Sequence, residues 1–373
     1  MAIISRFSDS RARWLVRGGA AVIAVYVVAI LALMFWWSYE PEQFDAVKVA
    51  QQRVAAHQQS VVTGTVVTSA LMSCAETLLD KRGGYMSNDL FPPGVLMDNV
   101  PNWEFGVLTA TRDLSRELRN KFSRSQSQSE EDVDLKEAEP LFSSPNDRWL
   151  LPSSEGQYRK AIAHVDGYLV RLGKNDPNGA QFYARADSLA DYLDVVSTRL
   201  GSLSQRLSAS VGQLRLEGDA PVDPAAPKNS SGQQIVKTPW SKIDDVFYES
   251  RGYSWALLAQ LKAIEVDFAP ILRSKNATVS LKQVIRELEE AQKPVRSPWI
   301  SNGGPFGFFA NHSLVMANYV SRANAALSTS SRCWTGGEAE RLRDALNRIA
   351  REAERPRQEP RAGVAWRAQD ARA

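Results

Sequence analysis

The sequence predicts an all-α protein, with one N-terminal transmembrane helix followed by a helical-bundle periplasmic domain of long antiparallel helices. Three observations carry this. Residues 18–38 (GGAAVIAVYVVAILALMFWWS) hold no charged side chain. Two long stretches place apolar residues at alternating steps of four and three, the spacing of one helix face. Neither runs of alternating apolar and polar residues nor Asn-Gly hairpin turns stand out.

A helix rises about 1.5 Å per residue, so the uncharged run matches the ~20 residues that a ~30 Å hydrocarbon core requires. Trp36, Trp37 and Tyr39 stand at its far end, where amphipathic rings favour the headgroup region. Arg6, Arg11, Arg13 and Arg17 precede the span against the single acid Asp9, and Glu40, Glu42 and Asp45 follow it. The positive-inside rule then makes residues 1–17 cytoplasmic, 18–38 the transmembrane helix, and 39–330 a periplasmic α-helical domain. A cleaved signal peptide would have a shorter apolar core and small residues at its exit, where Phe35-Trp36-Trp37 stand instead. A buried core helix is the other alternative, disfavoured by apolar residues all round and charged flanks.

Beyond the span, Val47, Ala50, Val54, His57, Val61, Thr65, Met72, Ala75 and Leu79 trace one face, stopped by Gly83-Gly84. Trp103, Val107, Thr111, Leu114, Leu118 and Phe122 predict a second helix. Ser154-Glu155-Gly156-Gln157 fits a capping box that opens a third. The clearest stripe is Phe182, Ala186, Leu189, Leu193, Val196, Leu200, Leu203 and Leu207. It reads as a bundle helix against its neighbours, with a coiled coil between chains as the alternative. Ile243, Phe247, Ser250, Ser254, Leu257, Leu261, Ile264, Phe268 and Ile271 form the other seam, with Thr238-Pro239 as cap and first turn. These two seams are expected to fold back on each other and share a core. Shorter helices are expected at 280–292 and 308–327.

Between the seams, residues 218–232 (GDAPVDPAAPKNSSG) read as an exposed linker, with a candidate subdomain break at 218–237. Residues 331–373 are an Arg- and Glu-rich tail, expected to be partly disordered beyond Arg355, where Pro356 and Pro360 stop a helix.

The 373 residues carry 45 Lys+Arg against 42 Asp+Glu, and a net charge of +3 gives no general pull toward nucleic acid. His57, His164 and His312 are the only histidines, and Cys74 and Cys333 the only cysteines, too few for a Cys/His zinc module or a disulfide scaffold. No metal or cofactor is expected. A Cys74–Cys333 bridge is conceivable in an oxidising compartment, but nothing in the sequence brings the two together. Phosphate-loop, dinucleotide-binding, HExxH and CxxC motifs are absent.

Glu249, in Phe247-Tyr248-Glu249-Ser250-Arg251-Gly252, is the one candidate catalytic acid. A Glu-Ser pair on a helix resembles the catalytic dipeptide of lytic transglycosylases, where a carboxylic acid protonates a glycosidic oxygen. The match covers two residues, and the Gly-Leu-Met-Gln segment of those enzymes does not follow. Asn102, Trp103, Glu104 and His312 form a candidate interaction rim. In the structural alternative, Asn102 caps a helix, Glu104 complements its positive end, Trp103 packs inward, and His312 caps the last helix.

Longer tracts are recognisable: Gly83-Gly84-Tyr85 with Ser87-Asn88-Asp89; Pro101-Asn102-Trp103-Glu104-Phe105-Gly106; the run SRSQSQS at 123–129; Phe182-Tyr183-Ala184-Arg185-Ala186-Asp187; the run LSQRLSASVG at 203–212; and NHSLVMA at 311–317. Together they resemble an uncharacterised family of proteobacterial inner-membrane proteins that carries only a domain-of-unknown-function label. The resemblance implies a Gram-negative source and one membrane helix, so the expected location is the bacterial inner membrane, single-pass, and it supplies no activity or site. The expected role is that of a scaffold or accessory interaction subunit in the cell envelope, without catalysis. The alternative is a peptidoglycan-cleaving enzyme that uses Glu249. Expected partners are the lipid bilayer through residues 18–38 and unidentified envelope proteins.

Overall fold

The computed structural model describes residues 10–125, 130–174, 176, 179–214, 235–297, 299–304 and 308–334. The linker expected at 218–232 and the tail beyond residue 334 lie outside them. The chain divides into two units, Met1–Trp334 and Thr335–Ala373, and the first holds every element described below. Helices on both sides of 218–237 contribute to one hydrophobic core.

Helix α1 spans Ser10–Trp37, and its Trp14–Trp37 portion has a mean hydropathy of 2.5. It is the one described helix long and apolar enough to cross a membrane. Val22, Ile23 and Val25 are 65–70% exposed, which removes the buried-core alternative for this segment.

The face expected to run unbroken from Val47 to Leu79 is two helices, α2 (Ala46–Ala56) and α3 (Thr65–Asp80). Asp45 caps α2 by accepting from the Val47 and Lys48 N–H groups. The break has a local cause. Gly64 sits at φ +92°, and a Cβ there would lie 2.2 Å from the Phe182 ring. Gly64 brings no side-chain cap, so α3 borrows one from 200 residues away. The Val67 N–H donates to Asp267 Oδ2 at 2.8 Å, and the Gly64 and Val66 N–H groups point to the same carboxylate.

Helices α4 (Asn99–Glu117) and α8 (Ile243–Asp267) form the centre. Every residue of α8 from Ser250 to Leu261 is buried, so the stripe expected there is instead a helix enclosed on all sides. Pro239 precedes a short 3-10 turn, Trp240–Lys242, and does not open α8 itself. A π turn, Leu118–Phe122, extends α4. Asn102 pairs with Asp245 and Gln260 Nε2 donates to the Ala110 carbonyl, so α4 and α8 run parallel.

Helices α5 (Val133–Phe142) and α6 (Ser154–Gly173) pack on α3 and α4. The cap of α6 is Ser153, one residue before the expected box, because Ser154 Oγ turns back to the Pro145 carbonyl. Helix α7 is Ala186–Ser208. Leu189, Leu193, Val196, Leu200, Leu203 and Leu207 are all buried, as the stripe predicts. Phe182 lies outside α7, in the irregular segment before it, where its ring meets Phe122 and Phe268.

Helices α9 (Ala269–Ser274), α10 (Thr278–Ala291) and α11 (His312–Trp334) complete the body. The partner expected for α7 was α8, but α7 lies chiefly along α11. Ser197 bonds to Asn324 and Ser204 to the Ala317 carbonyl, and α7 reaches α8 through Tyr192 and Gln260. The flanks of the linker meet in a two-residue antiparallel ladder, β1 (Gln213–Leu214) with β2 (Ile235–Val236). Cys74 is a buried free thiol on α3, facing the Ala256 carbonyl.

Burial pushes the Asp267 carboxyl up to about 6, and the N–H groups of the α3 terminus oppose that rise. The unfolded chain releases this proton near pH 4. The folded state therefore holds it more tightly, and its contribution is present below pH 4 and lost as pH rises through 6. Asp267→Asn keeps an acceptor but removes the titration. The native chain should lose roughly 2–3 kcal/mol relative to this variant between pH 4 and 7, read from thermal melts at each pH. A stability difference that stays constant with pH contradicts this assignment.

Candidate functional site

The segment leaving α1 is strapped to the centre of the bundle. Arg251, on α8, forks its Nε and Nη2 onto the Glu40 carboxylate, the Nε bond measuring 2.6 Å. Its Nη1 donates to the carbonyls of Ala291 at 3.1 Å and Lys293 at 3.0 Å. These carbonyls lie at the end of α10, where a helix leaves acceptors unfilled and favours a cation. One buried guanidinium thus joins the span's exit, α8 and the α10 terminus. Trp255 Nε1 donates to the Pro41 carbonyl and Gln43 Nε2 to the Trp255 carbonyl, each at 3.0 Å.

Beside this strap, Glu104 is fully buried on α4. Its carboxylate takes the Lys81 ammonium, the Met86 and Ser87 N–H groups at 2.8 Å, and the Ser87 hydroxyl. Burial pushes this carboxyl up, and Lys81 opposes it. The group ties the α3–α4 connection to α4, and it does not complement the helix terminus as expected. Trp103 packs inward at 2% exposure, with its ring 5.4 Å from that of Trp255. Neither residue belongs to an exposed rim, which corrects that expectation. Asn102 sits inside α4 rather than capping it, bonded to Asp98 and Asp245.

A cleft of about 280 Å³ opens between α8, α10, α11 and the 293–296 segment. Phe247, Val315, Met316 and Tyr319 give it apolar walls, and Lys293 and Arg296 stand at its edge. His312 lines one end. Its Nδ1 accepts from the Ser301 N–H at 2.9 Å, and burial lowers its pKa, which favours the neutral ring. The cap of α11 is Asn311, which accepts from the Leu314 N–H, and not His312. A smaller cavity of about 40 Å³ lies between Tyr39, Pro41, Lys81, Trp103 and Tyr248.

Glu249 lines neither cavity. Arg206 of α7 covers both its oxygens, Nη1 at 2.6 Å and Nη2 on the other. This pair joins α8 to α7. His57 faces Asp166 and His164 faces Asp134, in separate pairs. Among the described residues no group of three or more His, Cys, Asp or Glu gathers as a metal site would require.

These features define a class: an all-helical body tied at its centre to one apolar N-terminal helix long enough to span a membrane. The chain belongs to the family described as "uncharacterized protein conserved in bacteria (DUF2333)", whose model matches residues 9–332. No curated protein and no solved structure matches it.

Reading the sequence alone misses Arg251 as the hub and the 280 Å³ cleft. A signal existed for the first, since an arginine inside an otherwise apolar central helix demands a partner.

Glu249→Gln should weaken the fork to Arg206 and cost at most about 1 kcal/mol, because the arginine remains partly in water. Purified peptidoglycan should release no soluble fragments with either form. Fragment release by the native chain that stops in Glu249→Gln would establish the acid as catalytic.

Proposed function

We propose that the chain is an N-in, single-span inner-membrane protein whose helical body stands in the periplasm as a scaffold or accessory subunit of an envelope assembly. The observation that carries this reading is the strap. Glu40, two residues after Ser38, is bound by Arg251 in the middle of the central helix. A tether of that kind holds the body, and the cleft beside Arg251, at a set distance from the end of α1. An enzyme on a flexible leash has no such need, whereas a subunit that positions a partner does.

The arginines before the span and the acids after it support the orientation. Membership in a bacterial family supports the setting. The cleft is suited to an apolar segment of a protein partner. Its walls are Phe247, Met316 and Tyr319, and its rim carries Arg296 together with Lys293 paired to Glu290.

The test is photo-crosslinking in native membranes, with a benzophenone amino acid in place of Val315 on the cleft wall. The control is the same substitution at Val279, which is 78% exposed at the opposite end of α10. A discrete protein adduct from Val315 and none from Val279 is the expected result. No adduct from Val315, or identical adducts from both, contradicts the role.

A further inference from the structure

Four connecting segments converge near the last turn of α1. The first is the α3–α4 connection, 81–98. A Cβ on Gly83 would lie 2.7 Å from the Trp37 ring, and the Arg82 guanidinium sits 5.5 Å over the Tyr39 ring. The second, 145–152, is bound to the first. Asn88 Nδ2 donates to the Arg148 carbonyl and the Tyr85 hydroxyl to the Asn146 carbonyl, both at 2.8 Å. The third is the entry to α8, held against the start of α4 by Asn102 and Asp245, with Tyr248 sharing a cavity with Tyr39 and Pro41. The fourth, described at 293–297, 299–304 and 308–312, begins at the carbonyls that Arg251 holds together with Glu40 and ends beside Phe247.

These segments expose apolar side chains of a particular kind. The first presents Phe91 at 70% and Leu96 at 57% exposure, and the second Leu150 at 70% and Leu151 at 96%. Trp240 on the third is 86% exposed, and on the fourth Trp299 is 72% and Phe308 99% exposed. Among the described residues after Tyr39, every aromatic side chain at least half exposed lies on one of these four segments. Elsewhere on the body, the strongly exposed large hydrophobics are valines such as Val61, Val133 and Val279. Bulky aromatic and leucine tips gathered at one end are costly in water. They match the composition of membrane interfaces, where aromatic rings settle at the headgroup level. Their position continues the belt that Phe35, Trp36 and Tyr39 begin on α1 itself.

We propose that this end of the body rests on the bilayer that α1 enters, with the tips of the four segments inserted at the boundary between headgroups and acyl chains. The inference rests on α1 spanning the membrane. Acids such as Asp89, Asp98 and Asp147 stand among Arg82, Arg148 and Arg296 on these segments. The insertion is therefore apolar in origin, and a neutral lipid surface serves as well as an anionic one. The aqueous gap beneath the body closes, and the 280 Å³ cleft beside Arg251 lies just above the lipid headgroups.

Spin labels on the full chain test this in phosphatidylcholine vesicles, in a Cys333→Ser background with the buried Cys74 left in place. Single cysteines replace Leu96, Leu151 and Phe308 in turn, with Val25 as the span control and Val279 as the far-end control. Oxygen, enriched in lipid, and a water-soluble nickel chelate report the surroundings of each label. Val25 should show high oxygen and low nickel accessibility, and Val279 the reverse. Leu96, Leu151 and Phe308 should resemble Val25, each with several-fold less nickel accessibility than Val279. Three labels as open to nickel as Val279, with Val25 still in lipid, would overturn the docking while leaving the span intact. Labels shielded from both reagents would mean that a protein or a second copy covers this end, and would also overturn it. Val25 open to nickel would defeat the spanning reading first.

Discussion

The body is organised around a place where two helices meet backbone to backbone. A Cβ on Gly252 of α8 would lie 1.9 Å from the Trp103 carbonyl oxygen of α4. A Cβ on Gly106 of α4 would lie 2.1 Å from the Glu249 carbonyl oxygen of α8. The two glycines are reciprocal, and each removes the side chain that would hold the partner away. Close approach lets Trp103 and Trp255 meet edge to face, and it brings Gln260 within reach of the Ala110 carbonyl. With α4 seated this deeply, α3, α7 and α10 enclose the remaining sides of α8.

The charge that links body and span stands next to this contact. Arg251 precedes Gly252 and is itself buried, so its position follows from the helix crossing. Glu40 and the α10 carbonyls satisfy its donors. Buried ion pairs contribute little net stability, because desolvation cancels most of the attraction, but a missing partner is costly. The pair therefore acts by selecting one seating of the 38–45 segment over others. Glu104 has a similar effect on the neighbouring helix, where Lys81 and two backbone N–H groups leave a single arrangement for the α3–α4 connection. Both buried charges fix segments that lie at the end of α1.

Much of the architecture was legible because it depends on local pattern. The uncharged run at 18–38 and the α7 stripe each follow from one helix face meeting one kind of surroundings. Pairing was less legible. The α7 and α8 seams match in length, yet α7 lies on α11, since α8 gives its closest surface to α4 through Gly252. Nothing in a four-and-three spacing marks a glycine as a contact point rather than a weak helix position. The unbroken face drawn from Val47 to Leu79 failed for a related reason. Its interruption needs Gly64 in a left-handed conformation, and the α3 cap comes from Asp267, far along the chain. At the site, Trp103 and Glu104 looked like a rim because a polar-aromatic cluster has the same composition whether it faces water or a buried ammonium. The exposed tips of the four segments near α1 went unread, since their meaning comes from their being together.

The central claim is that α4 and α8 touch through their backbones, and two glycines in helix interiors test it by comparison. Gly201 of α7 has only ordinary contact at its Cβ position, with Asn324 Nδ2 at 3.5 Å, whereas Gly252 has a carbonyl oxygen at 1.9 Å. Alanine improves helix propensity by about 1 kcal/mol at either site. Equilibrium unfolding of the full chain in detergent should show Gly201→Ala neutral or stabilised, and Gly252→Ala destabilised by about 3 kcal/mol as α4 is forced outward. A Gly252→Ala chain as stable as Gly201→Ala would contradict the account.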